Sequence, residues 1–406
     1  MKHFCIWTPG QRSYDCLLGQ ENERSAVEQV IYADNPGFDA WLAGYWGRAT
    51  AGGIAPETLQ AAFAQAGYIP EVIAKDRNQA EFGMPLADYL ALVVSDSRIA
   101  DGREMLARHA PLLAQIETRY GVEKEVIVAV WGMESAYGAR RGHFPLISAL
   151  ATLAYDGRRG KFFERQLTAA LQIVQAGDVA PARMLGSWAG AMGHTQFIPT
   201  SYLALAVDFG GEGRRDIWRD DPTDALASTA HFLAQSGWQT GQPWGLEGRL
   251  PDGFDYGLAQ RSVRHSPVYW AQLGVRAADG RPLRVQGKAS ILLPVGAAGP
   301  AFMIFGNFAA IERYNNAEAY VIGIGHLSDR LRGGGALRST WPAGARPLSL
   351  AQRREMQGLL SEAGYSTKGV DGHLGPNTSS AIRTYQQAAG LAVDGYASLS
   401  LLERLR

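Results

Sequence analysis

Residues 125–138 read EVIVAVWGMESAYG, and this stretch decides the fold. The residues from Val126 to Met133 carry no charge and include no Pro, so they predict a helix that is apolar nearly all round. A helix of that composition is buried inside a protein. Glu134 follows the apolar run directly, and it is therefore predicted to be buried with the helix.

Burial would change what the Glu134 carboxyl group can do. A carboxylate that loses its hydration has a raised pKa and stays protonated near neutral pH, which is the state that a general acid requires. The alternative is a Glu at a helix end that turns out to solvent, because Glu is rarely buried without a partner. The surrounding sequence favours the general acid.

Two further motifs support that interpretation. Residues 190–202 read GAMGHTQFIPTSY, and residues 314–316 read YNN. Together with ESAYG at 134–138, they resemble the lytic murein transglycosylases of the membrane-bound B type (glycoside hydrolase family 103-like). These are lysozyme-like enzymes that cut the glycan strands of bacterial peptidoglycan. The resemblance runs from near Phe38 to near Arg332.

The composition is that of a soluble globular protein. The chain has 406 residues, enough for more than one domain, and 46% of them are hydrophobic and 19% charged. With 39 basic and 39 acidic side chains, the formal net charge is zero. No overall field therefore attracts the protein to nucleic acid or to anionic membrane. We predict no nucleic-acid partner and a polymer ligand that is recognised locally.

Cys5 and Cys16 are the only cysteines, which excludes a disulfide scaffold and a cysteine-based zinc site but leaves one short-loop disulfide open. Residues 1–20 lack the basic and apolar regions of a signal peptide, and no stretch is long enough to span a membrane. The sequence thus predicts no transmembrane segment and shows no export signal. The resemblance nevertheless implies the periplasm or cell envelope, which suggests a misplaced start or an unrecognised signal.

The predicted fold class is mainly α (α+β). The resemblance implies a lysozyme-like catalytic core with a helical subdomain and a small β insertion, followed by a C-terminal three-helix domain. Residues 101–120 are predicted to form one amphipathic helix that Gly121 ends. The predicted regions are an N-terminal arm at 1–35, a catalytic region at 36–338 (helical subdomain 36–110, lysozyme-like core 111–240 and 309–332, β-rich insertion 241–308), a linker at 339–347 and the last domain at 348–406.

The last domain carries its own signature. Val370-Asp371-Gly372 and Val393-Asp394-Gly395 repeat the same three letters, which indicates an internal repeat of helix and turn. Residues 348–406 resemble the three-helix peptidoglycan-binding domain of cell-wall hydrolases. Their Asp-Gly pairs are expected to shape turns rather than to contact ligand. The partner that this resemblance implies is the peptidoglycan glycan strand.

The resemblance also assigns site residues. Glu134 is the expected catalytic acid and base. The residues expected to bind substrate are Arg158, Arg159, Ser187, Gln196, Phe232, Tyr314 and Tyr320.

The resemblance gives these residues different roles, and some of them have an alternative. Ser187 and Gln196 would hold the catalytic Glu or the sugar amide, and Gln196 needs a partner if it is buried. The segment of small residues at 186–193 would let a ligand approach the backbone closely, or it would only pack tightly.

The Arg158-Arg159 pair would hold acetamido carbonyls or muramyl carboxylates, or it would only form a solvated face. Phe232 stands where relatives often have a substrate-facing Tyr, so it would keep a stacking face without the hydroxyl. Tyr314 would donate a hydrogen bond in the catalytic site and Tyr320 would form a groove wall, unless both are ordinary core tyrosines.

Residues 208–219 begin like the calcium loop that some relatives carry. Gly210 stands where the second oxygen ligand belongs, and Arg219 stands where the bidentate Glu belongs. We therefore predict a tight polar turn here, with no metal and no cofactor.

The resemblance implies a lytic transglycosylase. Such an enzyme cleaves the β-1,4 bond between N-acetylmuramic acid and N-acetylglucosamine without water and leaves 1,6-anhydromuramic acid ends. Two alternatives stay open, namely a hydrolytic muramidase and a non-catalytic scaffold that binds peptidoglycan. Two-carboxylate glycosidases place a second Asp or Glu across the bond, and no clear candidate for it stands near the three motifs.

Overall fold

The computed structural model describes residues 30–78, 84–342 and 345–406, which form two compact units. The first unit comprises residues 30–78 and 96–235, and the second comprises residues 84–95 and 236–406 without 343–344. Most of the predicted arm at 1–35, including Cys5 and Cys16, and the middle of the predicted linker at 339–347 lie outside the described residues. The predicted region boundaries stay predictions.

Helices dominate the described residues, which confirms the predicted mainly α fold class. None of these helices combines the length and the apolar character needed to cross a membrane. In chain order they are α1 (Pro36–Ala51), α2 (Pro56–Phe63), α3 (Pro70–Arg77), α4 (Leu86–Val93), α5 (Asp96–Arg108), α6 (Ala110–Tyr120), α7 (Lys124–Ser135), α8 (Leu146–Asp156), α9 (Gly160–Gln175), α10 (Pro199–Leu205), α11 (Thr223–Gln235), α12 (Pro267–Gln272), α13 (Gly306–Tyr314), α14 (Glu318–Leu331), α15 (Leu350–Glu362), α16 (Pro376–Ala388) and α17 (Leu399–Leu405).

The helix α7 lies in the core of the first unit, as its apolar sequence predicts. Every residue from Val126 to Met133 is buried, and α5, α6 and α11 pack around the helix. Burying one Val or Ile side chain contributes about 1.5–3 kcal/mol relative to leaving it exposed. This packing on several sides fixes the position of the residues that end α7.

The prediction of one helix over residues 101–120 is wrong. Two helices, α5 and α6, cover this stretch, because the helix is interrupted between Arg108 and Ala110. Pro111 explains the break, because it lacks a backbone N–H and its ring clashes with the preceding turn of a continuous helix. The predicted end is confirmed, since Gly121 takes a left-handed φ of 66° and its N–H donates to the Glu117 carbonyl.

The strands lie in two small antiparallel sheets. In the first unit, β1 (Phe144–Pro145) pairs with β2 (Leu185–Gly186). In the second unit the strand order is β4-β3-β6-β5, with all neighbours antiparallel. The second-unit strands are β3 (Gly245–Arg249), β4 (Arg276–Ala277), β5 (Ser290–Leu292) and β6 (Ala301–Ile304). A core that includes Trp270, Met303 and Phe305 packs on this sheet, which confirms the predicted small β insertion.

The YNN motif lies between two helices of the second unit. α13 ends at Tyr314, and Asn315 takes an extended conformation with φ −149°. The Asn315 side chain then accepts a hydrogen bond of 2.9 Å from the Ala317 N–H, one residue before α14 begins at Glu318. The motif therefore ends α13 and leads into α14.

The C-terminal residues form the predicted three-helix domain from α15, α16 and α17. Met356, Leu360, Ile382 and Leu402 are each at most 1% exposed and form its core. Ser349 caps α15 with a capping box, because its side chain accepts from the Gln352 N–H while the Gln352 side chain accepts from the Ser349 N–H.

Candidate active site

Glu134 stands in the last turn of α7, between buried Met133 and buried Ser135. The side chain is half-buried rather than buried, so the prediction that it is buried with its helix is wrong. Glu134 stands one residue before the end of α7, on a side of the last turn that is less enclosed than the sides of buried Met133 and Ser135. Solvent and ligands can therefore reach a carboxyl group that an apolar helix holds in position.

The chain leaves α7 through two consecutive left-handed residues. Ala136 has φ 48° and Tyr137 has φ 58°, a conformation that costs a non-glycine residue energy and persists where its surroundings enforce it. The Tyr137 ring occupies the space beside Gly132, where an added Cβ would lie 2.6 Å from the ring. Its hydroxyl donates a 2.7 Å hydrogen bond to the Arg98 carbonyl, and burial raises the pKa of Tyr137.

Buried Arg98 completes the support under Glu134. Its guanidinium donates a hydrogen bond to the Gly132 carbonyl, which belongs to the last turn of α7. The same carbonyl accepts the Ala136 N–H at 3.1 Å, so Arg98 supplies it with a second donor. Arg98 and Tyr137 thus hold the turn that carries Glu134 from two directions.

Ser135 links the ESAYG motif to the GAMGHTQFIPTSY motif. Its hydroxyl donates a 2.5 Å hydrogen bond to the His194 carbonyl and accepts one of 2.9 Å from the Gly138 N–H. Gly138 has φ 89°, and a Cβ there would lie 2.5 Å from the His194 ring. The close approach of the two motifs therefore requires Gly at 138.

His194 is locked in one neutral tautomer. The indole N–H of Trp131 donates to His194 Nδ1 at 3.1 Å, so Nδ1 is the acceptor. His194 Nε2 lies 2.8 Å from the Arg219 carbonyl, so Nε2 carries the proton and donates. Burial lowers the pKa of His194 to about 4, and Arg141 acts in the same direction. His194 therefore positions the chain as an uncharged group.

Arg141 holds the loop whose Arg219 carbonyl accepts the hydrogen bond from His194. Its Nη1 donates to the carbonyls of Trp218 and Arg219 at 2.8 and 2.9 Å. Its Nη2 forms a 2.6 Å ion pair with the exposed Asp220 carboxylate, and this hydrogen bond lowers the pKa of Asp220. The guanidinium thus fixes backbone carbonyls beside the two motifs.

Gln196 presents an oriented amide. It is 6% exposed and takes a left-handed φ of 53° between two antiparallel bridge residues, Met192 and Phe197. Its Nε2 donates to the Arg141 carbonyl at 3.1 Å and to the Gly193 carbonyl at 2.8 Å. Both amide protons are therefore used, and within the described residues no donor reaches Oε1. The carbonyl oxygen is left as an acceptor in a fixed orientation.

Ser187 lies in the same segment as Gln196. Its backbone N–H donates to the Ala191 carbonyl at 2.8 Å, and its Oγ accepts from the Ala191 N–H at 3.0 Å. The hydroxyl proton has no acceptor among the described residues. The small residues at 186–193 permit this tight turn, because a Cβ on Gly186 would lie 2.2 Å from the Ala191 carbonyl oxygen. The structure thus brings Ser187, Gln196 and the end of α7 together.

The aromatic residues of the predicted site are all buried. Phe232 is 6% exposed and its ring meets Phe197 at 5.9 Å, so core packing takes most of the stacking face that was expected to meet sugar. Tyr314 and Tyr320 are each 1% exposed and belong to the second unit. Their substrate roles stay predictions.

The adjacent arginines at 158 and 159 have different partners. Arg158 forms a bidentate ion pair with Asp76 on α3, with its Nε 2.6 Å from Oδ2, and this hydrogen bond raises the pKa of Arg158. Arg159 lies over the rings of Phe162 and Phe163, at 4.6 and 5.0 Å. Asp76 is 2% exposed, so Arg158 has a structural task that sequence alone did not indicate.

Replacing Arg158 with Gln is therefore expected to lower folding stability. A buried acceptor left without donors costs about 1–3 kcal/mol, and the 47% exposure of the Arg158 side chain places the value toward the lower end. Chemical denaturation of the single variants and of the Arg158→Gln, Asp76→Asn double variant would measure it. The double variant should lose less than the sum. Unchanged stability together with weakened glycan binding would instead favour the predicted substrate contact.

Comparison with known proteins decides the family. The transglycosylase SLT domain family matches residues 37–329, more than half of the chain. The chain belongs to this family. The putative peptidoglycan-binding domain family matches residues 349–405. These matches confirm the resemblance to lytic murein transglycosylases of the membrane-bound B type and the nature of the last domain.

Individual members of the SLT family are also similar to this chain. Membrane-bound lytic murein transglycosylase B of Escherichia coli (strain K12) is 34% identical over 215 residues, 51% of this chain and 56% of that protein. The match thus spans little more than half of that relative. SltB3 from Pseudomonas aeruginosa, solved in complex with NAG-anhNAM-pentapeptide, has a TM-score of 0.88 and 47% identity, covering 92% of this chain and 100% of that chain.

A third SLT relative bears on the calcium question. Escherichia coli Slt35, solved in complex with calcium, has a TM-score of 0.61 and 28% identity, covering 74% of this chain and 94% of that chain. In the present chain, both Asp208 oxygens accept backbone hydrogen bonds, from Gly211, Glu212 and Gly213. Arg219 pairs with the carboxylates of Glu212 and Asp216. The Arg219 guanidinium thus places a positive charge beside the carboxylates of this loop, and Arg219 stands where the bidentate Glu belongs. These residues do not fit calcium.

The sequence motifs of this SLT family member do not reveal the residues that support them. Trp131, Ser135 and His194 join the two motifs, and Arg98 and Arg141 satisfy backbone carbonyls around them. One signal was available. His194 is a polar residue in the same motif as Gln196, and a buried polar group needs a partner at either position.

Proposed function

We propose that this protein is a lytic transglycosylase. It cleaves the β-1,4 bond between N-acetylmuramic acid and N-acetylglucosamine of peptidoglycan and forms a 1,6-anhydromuramic acid end. Its family supports this, as does the solved SltB3 complex, whose ligand NAG-anhNAM-pentapeptide contains the anhydro sugar. Glu134 is the catalytic residue and acts first as acid and then as base.

The disposition of carboxylates carries the proposal. In the described part of the first unit, the buried carboxylates all accept structural hydrogen bonds, Asp76 from Arg158, Asp178 from Arg215, Asp216 from the N–H groups of Trp218 and Arg219, and Asp224 from those of Phe209, Gly210 and Asp216. A retaining or inverting glycosidase needs a second carboxylate for the sugar or for water. Structural donors hold all four of these buried carboxylates, whereas a one-carboxylate mechanism needs only Glu134.

The reaction then balances without water. The protonated Glu134 carboxyl group gives its proton to the glycosidic oxygen, and the bond from that oxygen to C1 of the muramyl sugar breaks. The 2-acetamido oxygen of the same sugar stabilises C1. The C6 hydroxyl oxygen next bonds to C1 while the Glu134 carboxylate takes its proton. Attachment of the C6 hydroxyl to the reacting ring gives it a large effective concentration over solvent.

Gln196 and Ser187 suit the sugar amide in this scheme. The Gln196 Oε1 oxygen is a fixed acceptor for an amide N–H, because both Nε2 protons are held by backbone carbonyls. The Ser187 hydroxyl can donate to a carbonyl while its oxygen stays bonded to the Ala191 N–H. Acetamido orientation would place the internal nucleophile and the leaving oxygen correctly around C1. We place Tyr314, Tyr320 and Arg159 on the substrate path as predictions from the family pattern.

The substrate implies the location and the partner. Peptidoglycan lies outside the inner membrane, so the protein would act in the periplasm or cell envelope. The three-helix domain would hold the insoluble wall and thereby raise the local concentration of glycan strands around the enzyme.

Product analysis tests the proposal. We expect fragments released from purified peptidoglycan to have muramyl ends lighter by one water than hydrolytic ends and resistant to borohydride reduction. Mass spectrometry before and after reduction would measure both properties. Fully reducible, hydrated ends would make the protein a muramidase that activates water. Folded protein that binds the wall and releases no fragments would be a scaffold.

A further inference from the structure

The three-helix domain contains one structural unit twice. The first copy has REMQ at 354–357 and VDG at 370–372, and the second has RTYQ at 383–386 and VDG at 393–395. Each copy thus offers an Arg three residues before a buried Gln, followed by an Asp-Gly turn. The predicted internal repeat is present in the folded domain.

The first copy closes its turn through Gln357, which is 1% exposed. Gln357 Nε2 donates to Asp371 Oδ1 at 3.1 Å, and Gln357 Oε1 accepts from the Gly372 N–H at 2.7 Å. Asp371 Oδ1 also accepts from the His373 N–H at 2.8 Å. Gly372 has φ 81°, a conformation that favours Gly.

The second copy repeats these bonds. Gln386 Nε2 donates to Asp394 Oδ1 at 2.7 Å, and Gln386 Oε1 accepts from the Gly395 N–H at 2.8 Å. Asp394 Oδ1 accepts from the Tyr396 N–H at 2.9 Å, and Gly395 has φ 71°. In both copies, Oδ1 shapes the turn, as the sequence predicted, and Oδ2 takes no part in it.

In the second copy, the remaining groups bind a peptide backbone. Asp394 Oδ2 accepts a 2.8 Å hydrogen bond from the Ala297 N–H, in the loop between β5 and β6. Arg383 Nη1 donates to the Tyr256 carbonyl at 3.0 Å, beside the same sheet. The Tyr396 side chain packs against Gly296, because a Cβ added at Gly296 would lie 3.0 Å from the Tyr396 Cβ. This copy therefore hydrogen-bonds one backbone N–H and one backbone C=O outside its own domain.

In the first copy, the same groups are exposed. No residue in the described part of the chain donates to Asp371 Oδ2, and the Arg354 guanidinium makes only a long 3.4 Å contact to the Asp371 carbonyl. Three exposed aliphatic side chains surround the turn, Leu350 at 48%, Val370 at 52% and Leu374 at 41%. Leu350 lies directly over it, since a Cβ on Gly372 would be 2.4 Å from Leu350 Cδ1.

We propose that the first copy, formed by Arg354, Asp371 and the exposed aliphatics Leu350, Val370 and Leu374, binds the peptide stem of peptidoglycan. Asp371 Oδ2 accepts an amide N–H of the stem, as Asp394 Oδ2 does from Ala297. Arg354 donates to a stem carbonyl or carboxylate, as Arg383 does to Tyr256. The aliphatic side chains contact the alkyl groups of the stem residues.

The chemistry favours the peptide stem over the sugar strand. The occupied copy holds backbone amides, and a stem peptide offers the same groups together with free carboxylates for Arg354. Aliphatic side chains suit alkyl groups better than they suit hydroxyl-covered sugar rings. The hydrogen bond from the His373 N–H holds the pKa of Asp371 below its usual range, so its carboxylate is ionised and accepts strongly. This inference rests on the proposed peptidoglycan-binding function of the domain.

Co-sedimentation tests the site. The full-length chain carrying Glu134→Gln, which prevents digestion, would be mixed with intact peptidoglycan sacculi and with glycan strands stripped of stems by an amidase. Asp371→Asn keeps an Oδ1 for the turn but replaces the accepting Oδ2, so we expect about a tenfold loss of affinity for intact sacculi, the loss of one charge-assisted hydrogen bond. Arg354→Gln should lose affinity to a similar degree. Glu362→Gln is the control, because it removes one exposed negative charge from the same domain.

The outcomes distinguish a failure of the domain's peptidoglycan-binding function from a failure of the proposed site. If the parent chain does not sediment with sacculi, the peptidoglycan-binding function of the domain fails. If it sediments and Asp371→Asn and Arg354→Gln bind as the parent does, while melting as the parent does, the first copy is not the site. Loss of affinity for stripped glycan equal to that for sacculi would assign the site to sugar and overturn the peptide stem. Loss confined to intact sacculi, with Glu362→Gln unchanged, supports it.

Discussion

Replacing Glu134 with Gln is expected to leave a folded protein that has lost nearly all turnover of isolated peptidoglycan. Gln keeps the shape of the side chain but neither gives a proton to the glycosidic oxygen nor takes one from the C6 hydroxyl. General acid and base catalysis contributes roughly a hundredfold to ten-thousandfold, and Glu134 serves both steps. Release of soluble fragments from purified sacculi, followed over time, measures the loss.

A matched variant on the same helix isolates the chemical role of Glu134. Glu125→Gln removes the same charge from the first turn of α7, where it weakens the favourable interaction of an anion with the helix N-terminus and the 3.9 Å ion pair with Lys124. Its turnover should stay close to that of the parent. Retention of half of the parent activity by Glu134→Gln would show that another group carries the proton, and the one-carboxylate mechanism would be wrong.

The features that follow from local pattern were predictable. The length of the uncharged run and its lack of Pro favour a buried helix over a strand, so α7 and its place in the core could be predicted from residues 125–138. Gly121 as a helix end and the recurring Asp-Gly turns follow in the same way, because each depends on the φ of one residue. The family pattern added Ser187 and Gln196, which the structure places in two consecutive turns, one closed by Ser187 and Ala191 and the other by Met192 and Phe197.

Features that depend on distant partners could not be predicted. Arg158 reads as a solvated or ligand-binding cation until the fold brings Asp76 to it across 82 positions of sequence. Glu134 was expected to be buried because sequence gives the composition of its helix but not how far neighbouring helices extend beyond its end. Asp371 and Asp394 look identical in sequence, and only packing shows that one of them is occupied.

Acid is expected to destabilise the first unit through His194. The folded pKa is about 4 because of burial, whereas an unfolded His has a pKa of about 6.5. Above pH 6.5 both states are neutral and the site contributes no pH dependence. Between pH 6.5 and 4 the unfolded chain binds a proton that the folded chain refuses, so stability falls as pH falls. The total loss is about 3 kcal/mol, from about 2.5 pKa units at about 1.4 kcal/mol each.

The groups that face His194 agree with this sign. Arg141 opposes a second positive charge, and Asp220 and Asp221 favour one, but burial outweighs both carboxylates. Protonation would also turn Nδ1 into a donor facing the Trp131 N–H, which breaks the 3.1 Å hydrogen bond beneath Glu134. Loss of this bond would loosen the junction of the two motifs before the unit unfolds.

His194→Gln tests the assignment because Gln does not titrate in this range. The variant should be less stable than the parent at pH 7, since the Trp131 N–H loses its acceptor, and the difference should shrink as pH falls from 6.5 to 4. Hydrogen exchange of α7 peptides in rising denaturant measures the first unit alone. That restriction matters because burial also lowers the pKa of His326, in the second unit, to about 4. Taking the difference between parent and variant cancels the titration of carboxylates that both contain.

Parallel pH profiles for parent and His194→Gln would mean that His194 has the same pKa in the folded and unfolded states. The neutral, tautomer-locked link between the two motifs would then be wrong.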